Sequence, residues 1–189
     1  MSAQIILGSS SKYRAQALRT LGLELDRDFN QQSPNVDETP KPMESAQAIA
    51  SRLALAKAKE IALNNPGKVI IGSDQTGVCG DRILEKPGTV EAAIESLTYC
   101  SGKTAVFYTG LAIYQSSVQQ PNHESDKYTL DVEATHLQFR TLTAAQITKY
   151  IELDKPLDCA GAFKAEGLGI ALFESIKADD PSALIGLPL

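Results

Sequence analysis

Val69-Ile70-Ile71-Gly72-Ser73-Asp74-Gln75 is the stretch from which the rest of this chain can be read. Three β-branched apolar residues run into a Gly-Ser step and then a carboxylate beside an amide. A continuous apolar run of this kind suits a strand covered on both faces of a sheet. Its small-residue end, followed by an acid, predicts a strand terminus at the rim of that sheet. An aspartate there has two readings, a cap for the next turn or a catalytic carboxylate delivered to the rim.

The flanking segments alternate in type. Ile5-Ile6-Leu7 reads as a short buried strand, and Ser11 as the N-cap of a helix with Ala15, Ala17, Leu18 and Leu21 on its apolar side and Gly22 as its terminator. A more polar strand is expected from Leu25 through Phe29 to Ser33-Pro34. From about Glu44 to Asn64 the apolar residues recur with a helical period, and Asn64-Asn65-Pro66-Gly67 ends that helix. Beyond Gln75 come a Gly80-Asp81 turn, Ile83-Leu84-Glu85-Lys86-Pro87, and a helix capped by Thr89 with Ala92, Ala93, Ile94 and Leu97 inward. Thr104–Tyr114 and Tyr128–Phe139 read as long paired strands, Thr143 starts a helix through Ile147, Tyr150 and Ile151, and Leu168–Phe173 reads as a last strand. The alternation predicts an α/β fold with a mixed sheet.

The chain has 189 residues, 43% hydrophobic and 22% charged, with a net charge of -5. That suits one domain, or two small lobes sharing a cleft. With no Lys/Arg run and an acidic balance, a nucleic-acid polymer is not an expected partner, and an anionic ligand needs a local cluster of cations. No apolar run spans a bilayer and the amino terminus lacks a basic leader, so a cytoplasmic protein without membrane attachment is expected. Cys79, Cys100 and Cys159 form no C-x-x-C pair, and His123 and His136 are not spaced as ligands, which argues against a zinc site, a disulfide framework or a Cys-His nucleophile.

Against that background a few residues stand out. Ser9-Ser10-Ser11-Lys12-Tyr13-Arg14 opens a helix, Ser33-Pro34-Asn35-Val36-Asp37-Glu38 forms an acidic turn, and Lys57 and Lys86 add positive charge. Cations, a metal-binding acid and a water-activating acid are what a triphosphate-handling site requires. Each of these residues also has a plain reading: Glu38 as a solvated turn acid, Arg14, Lys57 and Lys86 as surface cations, Tyr13 packed under its helix, Glu166 as a loop acid between glycines.

In order along the chain stand S-x-S-x-x-R, S-P-x-V-D-E, L-A-x-x-K-A, I-I-G-S-D-Q, E-K-P, F-Y-T-G-L-A, F-R-x-L and D-C-A-G-A-F-K-A-E-G, running on to G-L-P-L. This series, from Ile5 to Leu189, resembles the Maf family of nucleoside triphosphate pyrophosphatases. The resemblance implies a fold like that of the inosine-triphosphate pyrophosphatases: an elongated mixed sheet with flanking helices and two lobes around a cleft, in one domain over residues 1–189. It also allows a homodimer. Within the family, Ser73-Asp74-Gln75 and Phe163-Lys164-Ala165-Glu166-Gly167 are similar to the branch acting on 7-methyl-GTP, whereas the dTTP/UTP branch usually has Asp-Thr and a Gln at the matching places. Two departures are visible. Tyr13 stands where that branch often has Trp, and the chain stops at Leu189 where relatives usually continue into another helix, so a truncated form is expected.

The resemblance implies roles for the residues. Asp74 is the base that takes the proton of the attacking water, with Glu38 and Asp74 as ligands of a divalent cation, Mg2+ or Mn2+. A carboxylate is a weak base, but a metal-bound water is far more acidic than bulk water. Ser9, Arg14, Lys57 and Lys86 bind phosphate, through a helix N-terminus, a bidentate fork and two point charges. Tyr13, Gln75 and Glu166 read the base: N7-methylated guanine is a positive ring that an aromatic face and a carboxylate both favour. Two other functions stay open, a dTTP/UTP or broad-range nucleotide pyrophosphatase and a nucleotide-sensing division regulator without turnover.

Overall fold

A computed structural model describes residues 5–115 and 127–189. The expectation for His123 lies outside these residues. The elements in chain order are β1 (Ile5–Gly8), α1 (Lys12–Thr20), β2 (Phe29–Gln32), α2 (Ala46–Leu63), β3 (Val69–Cys79), β4 (Arg82–Leu84), α3 (Val90–Cys100), β5 (Thr104–Gln115), β6 (Lys127–Phe139), α4 (Ala144–Asp154) and β7 (Phe173–Lys177). Short 3-10 turns occupy Ala160–Ala162, Leu168–Leu172 and Pro181–Ile185. The strands form one mixed sheet in the order β2-β1-β3-β5-β6-β7, with β4 paired to β3. Helical crossovers make β1 parallel to both β2 and β3, while β3, β5, β6 and β7 run antiparallel in turn.

The expected α/β architecture with a long mixed sheet is what the chain adopts, and several expectations need correction. Asp74 does not end its strand: β3 runs five residues beyond it to Cys79, because Gln75–Cys79 find a full ladder partner in Ala105–Thr109 of β5. Leu168–Leu172 is a 3-10 turn, and the strand begins at Phe173. Gly167 and Gly169 punctuate that turn, and only from Phe173 does the chain meet β6. Leu25 makes only an isolated bridge, so β2 starts at Phe29. Leu21 is the C-cap of α1 and is exposed, since Gly22 at φ 84° turns the chain away one residue later. In α3, Ala93 and Leu97 are fully buried, but Ala92 and Ile94 only partly.

Strand alternation sorts β3 between two cores. Ile70 packs with Ala54, Ala58 and Ile61 under α2, and Ile71 with Leu7, Ala15 and Leu18 under α1. A third core lies at the other end of the sheet, where Phe107, Phe139, Phe163 and Phe173 meet edge to face. Such ring pairs add about 0.5–1.5 kcal/mol each beyond the area they bury.

α2 approaches the sheet unusually closely. A methyl on Gly72 would run into the Ala54 carbonyl, and one on Gly110 into the Ala50 carbonyl. Ala50, Ala54 and Ala58, four residues apart on one helical face, are completely buried against these glycines. Gly110 is the cross-strand partner of Asp74. The small-residue seam therefore lays α2 directly over the middle of β3. Among the described residues no helix is long and apolar enough to cross a membrane.

Candidate active site

A cleft of about 800 Å³ opens beside Asp74, Gln75 and Thr76 of β3. One lip is formed by the β1–α1 loop, α1, the Ser33–Pro40 segment and α2, the other by the residues after β4 and the Asp158–Glu166 loop, and Leu184–Gly186 closes one side. Ser9, Tyr13, Arg14, Glu38, Lys57, Asp74, Gln75, Lys86 and Glu166 all line it. The residues singled out from sequence, from six separate segments, are thus brought to a single cavity.

Alternation along β3 assigns the side chains. Gly72, Asp74 and Thr76 point to α2, and Ser73 and Gln75 to the opposite face. Asp74 meets Lys57, whose Nζ donates to Asp74 Oδ1 at 2.6 Å and to Glu38 Oε1 at 2.7 Å. Lys57 and Asp74 are each only 7% exposed, whereas the Glu38 side chain is 61% exposed. Lys57 is therefore no surface lysine, because its buried charge is held between two carboxylates. Thr76 Oγ1 lies 3.5 Å from Asp74 Oδ2, at the limit of a hydrogen bond.

On the other face, Ser73 Oγ donates to the Gly186 carbonyl at 2.9 Å. Arg14 Nε donates to the same oxygen at 2.7 Å, and Arg14 Nη1 donates to Ser9 Oγ at 3.1 Å. Burial pushes the Arg14 guanidinium below its ordinary value, and the nearby Asp74 and Glu38 carboxylates pull it back up. Ser9 Oγ also accepts from the Ser11 backbone N–H at 3.1 Å. Its lone pairs are occupied, so its own proton is what it offers a ligand, and an anion is the ligand that fits.

Gln75 is placed differently from a free reader of a base. Its Nε2 donates to Thr109 Oγ1 at 3.0 Å, Ala183 O at 3.0 Å and Leu184 O at 3.1 Å. The amide nitrogen is committed to the C-terminal segment, and only the carbonyl end remains for the cleft. Tyr13, half-buried in the first turn of α1, faces Glu166 from the opposite lip. Burial, then the Glu166 carboxylate, pushes the Tyr13 hydroxyl up to about 12, so it keeps its proton near neutral pH. Lys12 Nζ lies 5.1 Å from the Tyr13 ring centroid, a cation over the ring before any ligand arrives. Lys86 and Glu166 are exposed.

Three contributors had no role in the sequence reading. The Ala183–Gly186 backbone takes the bonds from Arg14, Ser73, Gln75 and Thr109, and nothing in the identity of those residues announces carbonyl acceptors. Arg52 grips Glu44 with two bonds of 2.6 and 2.7 Å and reaches the Thr39 carbonyl at 3.2 Å, tying the Glu38 segment to α2. The seat made by Gly72 and Gly110 had a signal, since an isolated glycine inside a strand marks close approach of another backbone. His136 is an exposed residue of β6. Cys79 and Cys100 are buried outside the cleft. Half-buried Cys159 lines it, with its thiol pushed up to about 12 by burial and then by Asp158.

The family described as Maf-like protein matches residues 4–189. The chain belongs to the Maf family. It is 45% identical to the 7-methyl-GTP pyrophosphatase of Idiomarina loihiensis, over 100% of this chain and 90% of that one. It is 43% identical to that of Nitrosococcus oceani, over 98% and 87%, and 44% identical to that of Vibrio vulnificus, over 98% and 90%. A HAM1 protein from Coxiella burnetii is similar in structure at a TM-score of 0.46 and 14% identity, over 72% of this chain and 73% of that one.

Proposed function

We propose that this Maf protein is a nucleoside triphosphate pyrophosphatase that hydrolyses 7-methyl-GTP to 7-methyl-GMP and pyrophosphate. The observation that carries the reading is the sorting of one cleft. Asp74, Lys57 and Arg14 meet from β3, α2 and α1, with Glu38 from the loop before α2, and the Tyr13 ring faces the Glu166 carboxylate between the two lips. The names of relatives at 43–45% identity support the same substrate.

Water adds across the α–β anhydride, and the chain's residues divide the work. Arg14 has N–H donors beyond those given to Gly186 and Ser9, and with the Ser9 proton and the start of α1 it binds the phosphates. Lys86 adds charge from the other lip. Asp74, fixed in mid-strand, orients the water and accepts its proton. Glu166 accepts the guanine-edge N–H groups and favours the positive ring, with the Tyr13 face beside it.

Asp74 and Glu38 would hold Mg2+ or Mn2+. Their oxygens converge on one cationic atom, Lys57 Nζ, and no third acid, His or Cys joins them among the described residues. A two-carboxylate set suits a hard cation that takes its remaining ligands from phosphate and water. Such an ion supplies charge neutralisation and a more acidic water.

The protein is read as one catalytic domain over residues 1–189, cytoplasmic like its nucleotide substrate, and able to form a homodimer. The net charge of -5 speaks against a nucleic-acid polymer, and a small anionic substrate relies on the local cations Arg14, Lys57 and Lys86 of the cleft. Pyrophosphate release from methylated and unmethylated triphosphates, with and without magnesium, tests the reading. 7-Methyl-GTP should be the best substrate. Better turnover of UTP or dTTP would move the protein to the other branch, and nucleotide binding without turnover would make it a sensor.

A further inference from the structure

We propose that Lys57 is a resident counter-ion that holds the metal position closed until nucleotide arrives. The proposal rests on the metal-assisted reading above, and its observation is independent of that reading. Lys57 Nζ takes Asp74 Oδ1 at 2.6 Å and Glu38 Oε1 at 2.7 Å, the two oxygens that a divalent ion would need. An ion such as Mg2+ binds oxygen at about 2.0–2.1 Å, so an ammonium and a metal cannot both sit between the same pair. Like charge reinforces the exclusion: a divalent cation a few ångströms from a buried ammonium is repelled in a medium that screens poorly.

The surroundings decide which partner yields. Asp74 is paired to Gly110 of β5, two residues past the last β1 pair at Gly72, and α2 is seated on Gly72 and Gly110, so neither backbone can withdraw. The flexible members are the four-carbon stem of Lys57 and the exposed side chain of Glu38. Leaving two carboxylates for nothing would strand a buried charge, which is costly. A nucleotide removes that obstacle, because its phosphates offer the ammonium a new anion at the moment the carboxylates take the metal. With only two acids in the set among the described residues, the same phosphates supply ligands to the ion. Metal and nucleotide should therefore bind together, and the free metal poorly alone. Lys57 has two successive partners, first the carboxylates and then phosphate, so one residue both guards the site and binds substrate.

The test is Mn2+ binding to the nucleotide-free protein, read from the electron paramagnetic resonance of free Mn2+. Lys57→Met should bind Mn2+ at least about tenfold more tightly than wild type, because the competing charge is gone. Lys57→Gln, which keeps an N–H donor for one carboxylate, should shift the same way and decides the matter if the methionine variant does not fold. Unchanged or weaker Mn2+ binding in the folded variants overturns the proposal. If the wild type hydrolyses no triphosphate with Mn2+, the functional reading fails instead, and the titration still decides the role of Lys57.

Discussion

The two ends of the cleft are built on different principles. At the carboxylate end, Asp74, Lys57 and Arg14 sit on β3, α2 and α1, enclosed by the sheet and bonded to one another or to the Gly186 carbonyl. At the base-reading end, Glu166 lies exposed on a loop and faces the Tyr13 ring, which is half-buried under Lys12 in the first turn of α1. Groups that act on the invariant triphosphate need fixed geometry, and regular elements provide it. Groups that read the base can sit on loops, where residues change without disturbing the core. Damage at the first end should therefore lower turnover for every nucleotide, and damage at the second should change the order of preference.

Asp74→Asn should give the largest effect. It keeps the size of the side chain and removes the proton acceptor, so turnover should fall by ~10²–10⁴ while nucleotide still binds. Steady-state rates beside equilibrium binding measure both, and near-normal turnover would show that another group activates the water.

Gly110→Ala is the next largest. The added methyl meets the Ala50 backbone and must lift α2 from the sheet, as overpacking a tight core does, at about 1–3 kcal/mol. Urea denaturation reads that loss. Because Lys57 rides on the same helix, turnover should fall equally for all triphosphates, and a changed base preference would break the division between the two ends.

Glu166→Gln should do the reverse. Glutamine brings an N–H donor to the guanine edge, leaving a donor unpaired at a cost of ~1–3 kcal/mol. The expected result is a larger fall in kcat/KM for 7-methyl-GTP than for UTP or GTP, because the carboxylate also favours the positive methylated ring. Tyr13→Ala should act in the same sense by ~0.5–2 kcal/mol. Arg14→Ala is the control, since phosphate contacts carry no base information and its loss should be uniform. Equal losses on all substrates for Glu166→Gln would make that residue structural.

The smallest effect concerns the clamp on the acidic segment. The Arg52 guanidinium, and then the Lys41 backbone N–H, hold the Glu44 carboxyl down at about 2 against an ordinary 4.5. The folded value lies below the unfolded one, so the stabilisation is present above about pH 4.5 and is lost as pH falls towards 2. Melting temperatures from pH 7 down to 2.5 should fall more steeply for wild type than for Glu44→Gln. Parallel curves would show that the clamp adds nothing to stability.

Periodicity and caps made the elements legible. Ser11, Thr89 and Thr143 each cap a helix with a side-chain oxygen, and each is a residue type that favours that position wherever it occurs, whereas Ser45, the cap of α2, went unread. The candidate site was legible through residue types in order, since Asp74, Glu38, Lys57, Arg14, Tyr13 and Glu166 all reach the cleft. Strand ends were less so. Whether β3 stops at Asp74 depends on its partner β5, 26 to 34 residues away from the paired positions, and no local pattern reports that pairing.

Sequence by itself therefore determined the α/β class and the helix starts, because propensity and capping are local properties, and the order of its motifs carried the resemblance that named the residues of the cleft. Tertiary structure alone decided how those residues are bonded. It put Lys57 between two carboxylates, turned Gln75 towards Ala183 and Leu184, and made the Gly186 carbonyl the anchor of Arg14. The physical reason is that these bonds join groups 17 to 172 residues apart, and the shortest of them depends on how closely α2 can settle on two glycines of neighbouring strands.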